Sequence, residues 1–182
     1  MNTQIKQIAE RLRGLRDALE LTIGQAAEKC GITEADYARY ESGGSDIPMS
    51  FIFQVAQTFG VETSTLISGK EPHALSFFVT RKGTGASVER SRFYKYQSLA
   101  NGFRNSKAEP FEVTVEARHT DLHLNSHPGQ EFNLVLDGAM EINIAGNNIV
   151  LNEGDSIYFD ATKPHGMRAL NGKNVRFLAV II

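Results

Sequence analysis

The sequence predicts an α + β protein of two domains: five short helices, followed by many short β-strands folded into a sandwich or barrel. Two observations predict it. Apolar residues in the first 70 positions recur every three or four residues, whereas from about Ser76 they gather in short β-branched and aromatic runs broken by Gly, Asn, Asp or Pro. Between the two patterns, Ser68-Gly69-Lys70-Glu71-Pro72 has the composition of a short linker. The 182 residues, 41% apolar and 22% charged, can bury a real core and lie far from the composition of disordered chains. The expected boundaries are 1–69 for the helical domain, 70–109 for the linker and first strands, and 110–182 for the main β domain.

In the first helix Ile5, Ile8, Leu12, Leu15 and Leu19 form one inward stripe. Thr22 can cap a second helix, Ile23 to Cys30, which Gly31 stops by adopting a left-handed conformation. Thr33 caps a third, Glu34 to about Glu41, ended by Ser42-Gly43-Gly44-Ser45. A fourth follows Pro48, with Phe51, Ile52, Val55, Ala56 and Phe59 on one face, and Thr63 or Ser64 opens a fifth. Strands are expected at Ser76–Thr80, Phe111–Ala117, Phe132–Leu136, Met140–Ile144, Asn148–Leu151, Ser156–Phe159 and Val175–Ile182.

Charge and cysteine count narrow the functions. With 19 Lys and Arg against 21 Asp and Glu the chain does not grip polyanions by bulk charge, so any nucleic-acid contact is local. Within residues 81–107, however, Arg81, Lys82, Arg90, Arg92, Lys95, Arg104 and Lys107 face only Glu89, and Phe93, Tyr94, Tyr96 and Phe103 are interleaved. Such a strip suits an edge strand kept soluble by cations, an anion-binding rim or a phosphate-contacting surface. The single cysteine, Cys30, allows neither an internal disulfide nor a cysteine zinc site. No signal-peptide pattern and no long apolar run occurs, so a cytoplasmic protein without a membrane partner is expected. Gly83-Thr84-Gly85 is not set between a strand and a helix as a phosphate-cradling loop requires.

The second and third helices, joined by Gly31-Ile32-Thr33, make a helix-turn-helix. Ile8-Ala9-Glu10-Arg11-Leu12-Arg13, Ala26-Ala27-Glu28, Cys30-Gly31-Ile32-Thr33, Tyr40-Glu41-Ser42-Gly43 and Val55-Ala56-Gln57-Thr58-Phe59-Gly60-Val61 resemble the Cro/C1-type (XRE-like) domains over roughly residues 4–68. The resemblance implies groove contacts from Thr33, Glu34, Ala35, Asp36, Tyr37 and Arg39. Glu34 and Asp36 repel phosphates, although a carboxylate can accept from cytosine N4. Ile23 stands where that family often has Gln, and residues 1–70 carry seven basic against nine acidic side chains.

His127-Pro128-Gly129-Gln130-Glu131 followed by Gly138, and Gly154-Asp155 leading to Pro164-His165, resemble the two motifs of the cupin barrels, the double-stranded β-helix or jelly-roll fold. This implies a divalent metal (Fe, Zn, Ni or Mn) on His127, Glu131 and His165, the two-imidazole, one-carboxylate set. Asn125 replaces the family's first histidine and offers a weak amide oxygen, while Asp160 and Thr162 replace a Pro and a Gly of the second motif. His123, Asn125 and His127 alternate on one strand face, with His123 as a reserve ligand and His119 further out. Phe132, Leu134, Tyr158, Phe159 and Met167 are expected to line a ligand pocket.

Together the resemblances imply a DNA-binding transcriptional regulator. It would be a homodimer on a pseudo-palindromic double-stranded site, sensing a small metabolite through its barrel, and the basic strip favours an anionic one. Two alternatives remain open: a mononuclear-iron enzyme similar to the 2-hydroxypropylphosphonate epoxidases, and a metabolite-binding protein without a DNA target. Against the enzyme, Glu20 stands where those epoxidases bring a substrate-binding lysine.

Overall fold

The computed structural model of the chain describes residues 3–69, 74–89, 94–117 and 122–182. Lys70–Pro72 of the expected linker, Arg90, Arg92 and Phe93 of the basic strip, and His119 lie outside the described residues, as does the Glu89 side chain. Five helices come first: α1 Thr3–Ala18, α2 Ile23–Lys29, α3 Glu34–Glu41, α4 Met49–Phe59 and α5 Thr63–Ser68. Thr22 and Gln25 form a capping box at the start of α2, and the Thr33 hydroxyl accepts the Asp36 N–H at 3.1 Å at the start of α3. Gly31, between them, has φ +65°, a backbone that side chains resist. α1 buries Ile5, Ile8 and Leu12 as its spacing predicts. Leu19 does not join them: the helix stops at Ala18, Glu20 turns to φ +55°, and Leu19 is left 42% exposed. A bidentate pair locks α1 to α3, with Arg16 donating to both oxygens of buried Glu41 at 2.8 Å.

The strands are β1 Ala86–Glu89, β2 Tyr94–Ser98, β3 Glu109–Val115, β4 Gln130–Asp137, β5 Ala139–Ile144, β6 Asn147–Asn152, β7 Ser156–Asp160, β8 His165–Ala169 and β9 Val175–Ile181. They form a six-stranded sheet in the order β1-β2-β3-β9-β4-β7 and a three-stranded sheet in the order β6-β5-β8, every pairing antiparallel. Phe111, Val113, Val135, Phe177 and Ala179 of the larger sheet and Met140, Ile142 and Met167 of the smaller are buried, the alternation a two-layer sheet core demands.

The expected strand at Ser76–Thr80 does not form. Ala74 makes an isolated bridge to Phe103, and Phe77 and Val79 are exposed beyond it. β-branched and aromatic composition favours a strand only where a neighbouring strand pairs with it, and among the described residues no strand pairs with 76–80. β1 and β2 fall within 70–109, where the first strands were expected without bounds, whereas β8 arises from a segment not expected to be a strand. The two domains touch through α4. Phe53, buried, places its ring 5.8 Å from that of Phe111 and 6.1 Å from that of His127. The Glu62 carboxylate also accepts the Asn105 N–H at 2.9 Å. No helix among the described residues is long and apolar enough to cross a membrane.

Candidate metal centre and interdomain cavity

Strand alternation decides what enters the barrel. On β4 the buried residues are Glu131, Asn133 and Val135, so Phe132 and Leu134 occupy the opposite face. Glu131 is directly followed by that apolar pair, and its motif partner His127 lies across Pro128-Gly129. Gly129 has φ +92°, and a Cβ there would fall onto the Ile182 carbonyl oxygen, so only glycine permits the loop to close against the sheet. His165 enters from the start of β8, tied to Asn125 by reciprocal backbone hydrogen bonds of 2.8 Å.

His127, Glu131 and His165 converge: one ligand atom from each lies within 4.8 Å of the others, and all three residues are buried. The Glu131 Oε2 is 3.1 Å from His127 Nε2 and 3.7 Å from His165 Nε2. His127 Nδ1 lies 3.1 Å from the Pro128 carbonyl and His165 Nδ1 2.9 Å from that of Lys163. A carbonyl oxygen only accepts, so both contacts suit the tautomer with its proton on Nδ1, the one that leaves Nε2 a lone pair for a metal. Three electron-pair donors facing one another in a buried space ask for a cation between them. Burial lowers the His165 pKa, which keeps that ring neutral and free to ligate. The donor set thus fits a divalent first-row metal.

Above the triad a cavity of about 480 Å³ opens between the domains, of ordinary size for a small-molecule site. His123, Asn125, His127, Glu131 and His165 line it together, as the alternation of 123, 125 and 127 predicts, although only Asn125 of that segment forms a bridge. The pocket expectation is largely overturned. Met167 lines the cavity, but Phe132, Leu134 and Tyr158 do not, because a shift of one residue along a strand exchanges faces. Phe159 points inward yet packs 5.0 Å from the His165 ring instead of reaching the cavity. The walls are Phe111 and Val113 from β3, Phe177, Ala179 and Ile181 from β9, and Tyr94 and Tyr96 from β2. The far wall is the helical domain, through Arg39, Tyr40, Ser45 and Phe53 among others. Sequence reasoning missed this wall, although α4 carries Met49 and Phe53 beside its main stripe, and an apolar face that wide has room for two partners.

Among the described residues the cations of the basic strip line no part of the cavity, although its Tyr94 and Tyr96 do: Lys95 turns outward to Glu116 at 3.3 Å, and Arg81, Lys82, Arg104 and Lys107 lie off the wall. On the candidate groove face, Thr33 is engaged in its cap, Asp36 pairs with Arg39 at 2.7 Å, and the Glu34 carboxylate leans over Gly24 in α2. Tyr37 cannot reach DNA at all. It is 1% exposed, packed edge-on against Phe51 at 5.5 Å, so the helix turns this position inward. Its hydroxyl has no hydrogen-bond partner among the described residues. Tyr37→Phe, which removes a desolvated donor without changing the packing, should therefore leave DNA binding untouched and stabilise the fold by about 1 kcal/mol, read from the urea midpoint.

Residues 7–66 match the family described as helix-turn-helix domain, and residues 111–181 match the family described as cupin domain. The chain therefore joins a helix-turn-helix domain to a cupin domain. Among solved structures it is similar to an HTH_3 family transcriptional regulator from Vibrio cholerae, at 22% identity and a TM-score of 0.70, covering 98% of this chain and 96% of that one. It is also similar to hydroxypropylphosphonic acid epoxidase from S. wedmorenis, at 21% identity and a TM-score of 0.54, covering all of both chains. The iron(II) form of that epoxidase gives the same TM-score. At these identities the likeness shows the fold. No curated protein matches the chain.

Proposed function

We propose that this protein is a DNA-binding transcriptional regulator of the cytoplasm whose cupin domain senses a small molecule in the interdomain cavity. The observation that carries the reading is the cavity itself: one wall is the barrel with its His-Glu-His cluster, the other the helix-turn-helix unit. A solute bound there touches both the sensing and the output domain. Glu34 and Asp36 on the leading turn of α3 make non-specific attraction to phosphates weak, which places the burden on base contacts. Selection of duplex sites at moderate salt should enrich a pseudo-palindromic sequence. Arg39→Ala should weaken that binding and, where Arg39 meets a phosphate, lower the salt slope by about 1. If no sequence is enriched, the helical domain serves only as a wall of the ligand site.

A homodimer joined through the cupin domains fits a two-fold symmetric DNA site. Light scattering should give twice the chain mass at micromolar concentration, and a monomer there excludes it.

His127, Glu131 and His165 would hold a divalent ion, which when bound supplies a Lewis-acidic centre with open positions toward the cavity. The same triad favours a second reading, an iron-dependent enzyme, in line with the structural likeness to the epoxidase. Glu20, exposed and off the cavity wall, stands in place of the lysine expected to hold a phosphonate, which leaves Arg39 as the lysine or arginine on the wall among the described residues. Failure of the iron(II)-loaded protein to consume dioxygen with any candidate phosphonate or carboxylate would remove it.

A further inference from the structure

Resting on the regulator reading, we propose that the cavity takes a carboxylic acid with an apolar body, that Arg39 holds its carboxylate, and that ligand and DNA therefore compete for this one side chain. The wall changes character from one end to the other. Phe111, Val113, Phe177, Ala179 and Ile181, set side by side on the paired strands β3 and β9, form an apolar floor. A polar solute laid on that floor would give up hydrogen bonds to water and gain none, so the body of the ligand is apolar. On the helical side Arg39 is the one lysine or arginine that lines the cavity among the described residues. Ser45 is on the same side, and its buried hydroxyl oxygen has no hydrogen-bond partner among the described residues. A buried hydroxyl left unsatisfied by the protein marks where a polar group of the ligand belongs. A guanidinium donates, a hydroxyl can donate as well as accept, and a carboxylate, which only accepts and carries the complementary charge, suits both.

Arg39 is placed to make the exchange, its guanidinium donating to the Tyr40 hydroxyl at 3.2 Å and lying 5.1 Å over the Tyr40 ring as well as pairing with Asp36. Its partner Asp36 does not line the cavity, and the pair is solvent-exposed, with side chains 56% and 40% accessible. Exposed pairs of this kind contribute little, so a carboxylate in the cavity displaces Asp36 at small cost. Yet Arg39 lies in the last turn of α3, the helix that would enter a major groove, and is its only basic residue. A guanidinium turned onto a carboxylate in the cavity is lost to the DNA backbone, and by linkage DNA must weaken the ligand by the same factor.

The test uses the full chain treated with chelator, so that no metal captures the acid, and two probe pairs: hexanoate against hexanamide, and phenylacetate against phenylacetamide. Calorimetry should show each acid bound about tenfold more tightly than its amide, the discrimination expected of a charge-assisted hydrogen bond. Arg39→Gln should bring each acid down to the affinity of its amide, and Asp36→Asn should tighten the acid. In the second arm, fluorescence anisotropy of a labelled duplex should show saturating hexanoate weakening DNA binding by the parent, with no effect on the Arg39→Gln protein. Equal affinity for acid and amide, no binding of either acid, or indifference to Arg39→Gln overturns the ligand assignment. Acid binding through Arg39 with unchanged DNA affinity overturns the competition alone. A parent that binds no duplex overturns the regulator reading, and the competition with it, while the calorimetric arm still decides the ligand class.

Discussion

A thousandfold excess over Kd of Fe(II), Ni(II), Mn(II) or Zn(II) should raise the unfolding free energy of the chelator-treated protein by about 4 kcal/mol, and Glu131→Ala should abolish nearly all of that gain. The gain follows from a site that exists only in the folded chain. Glu131 is carried by β4, His127 by the loop before it, and His165 by β8, so unfolding separates all three donors. The loss follows from Glu131 being the common neighbour of both imidazoles and the one anion of the cluster. Without it two neutral rings remain to offset the dehydration of a dication. Differential scanning calorimetry reads the stability, and elemental analysis the occupancy. The parent purified without an affinity tag should carry clearly more metal than a Glu131→Ala, His165→Ala protein. A parent that stays metal-free after incubation with all four ions would reduce the triad to pocket polarity. Asn125 in place of a third imidazole means the ion should also be stripped by chelators more readily than from a three-histidine site.

Phe53→Ala should cost about 3–5 kcal/mol, the range for emptying an aromatic site in a packed core. Phe53 is 5% exposed, and its ring meets Phe111 of the barrel wall and His127 of the triad, so the space it leaves is bounded by both domains. Neither domain can collapse into it alone. The expected signature is an earlier urea midpoint with the helical and β transitions separated, by far-UV circular dichroism for the helices and hydrogen exchange of the strand amides for the barrel. Phe53→Leu, which keeps most of the volume, should cost under about 1.5 kcal/mol. An unchanged midpoint in Phe53→Ala would mean that this contact does not join the domains.

The sequence was most informative where period and chemistry coincide. Thr22, Gly31 and Thr33 mark the ends of α2 and α3 because caps and left-handed turns depend on local residues alone. The candidate metal triad was legible through the likeness of His127-Pro128-Gly129-Gln130-Glu131 and Pro164-His165 to the two cupin motifs. Apolar character by itself misled. Phe132 and Leu134 look like pocket lining, but β4 is apolar on both faces, so composition could not say which face holds the inward set, whereas the polar Glu131 and Asn133 do. Ser76–Thr80 has strand composition without a strand to pair with, and β8, His165–Ala169, pairs with β5 without strand composition. The wall built from Arg39 to Phe53 was invisible, since it arises from how two separately readable domains meet.

The position of β9 has a consequence for how the chain is made. It is the latest strand in sequence, yet it lies between β3 and β4, paired with both along nearly their whole lengths. During synthesis the helical domain emerges first, and its short-range contacts let it fold at once. β3 and β4 must then wait, each with an open edge, until Val175–Ile181 has left the ribosome and slid between them. A nascent chain stalled before residue 175 would thus display a finished helix-turn-helix unit beside two unzipped halves of a barrel, with Phe53 bare on its surface. This interval is when a chaperone has most to cover, and slowing translation there should raise the insoluble fraction far more than slowing it within the helices.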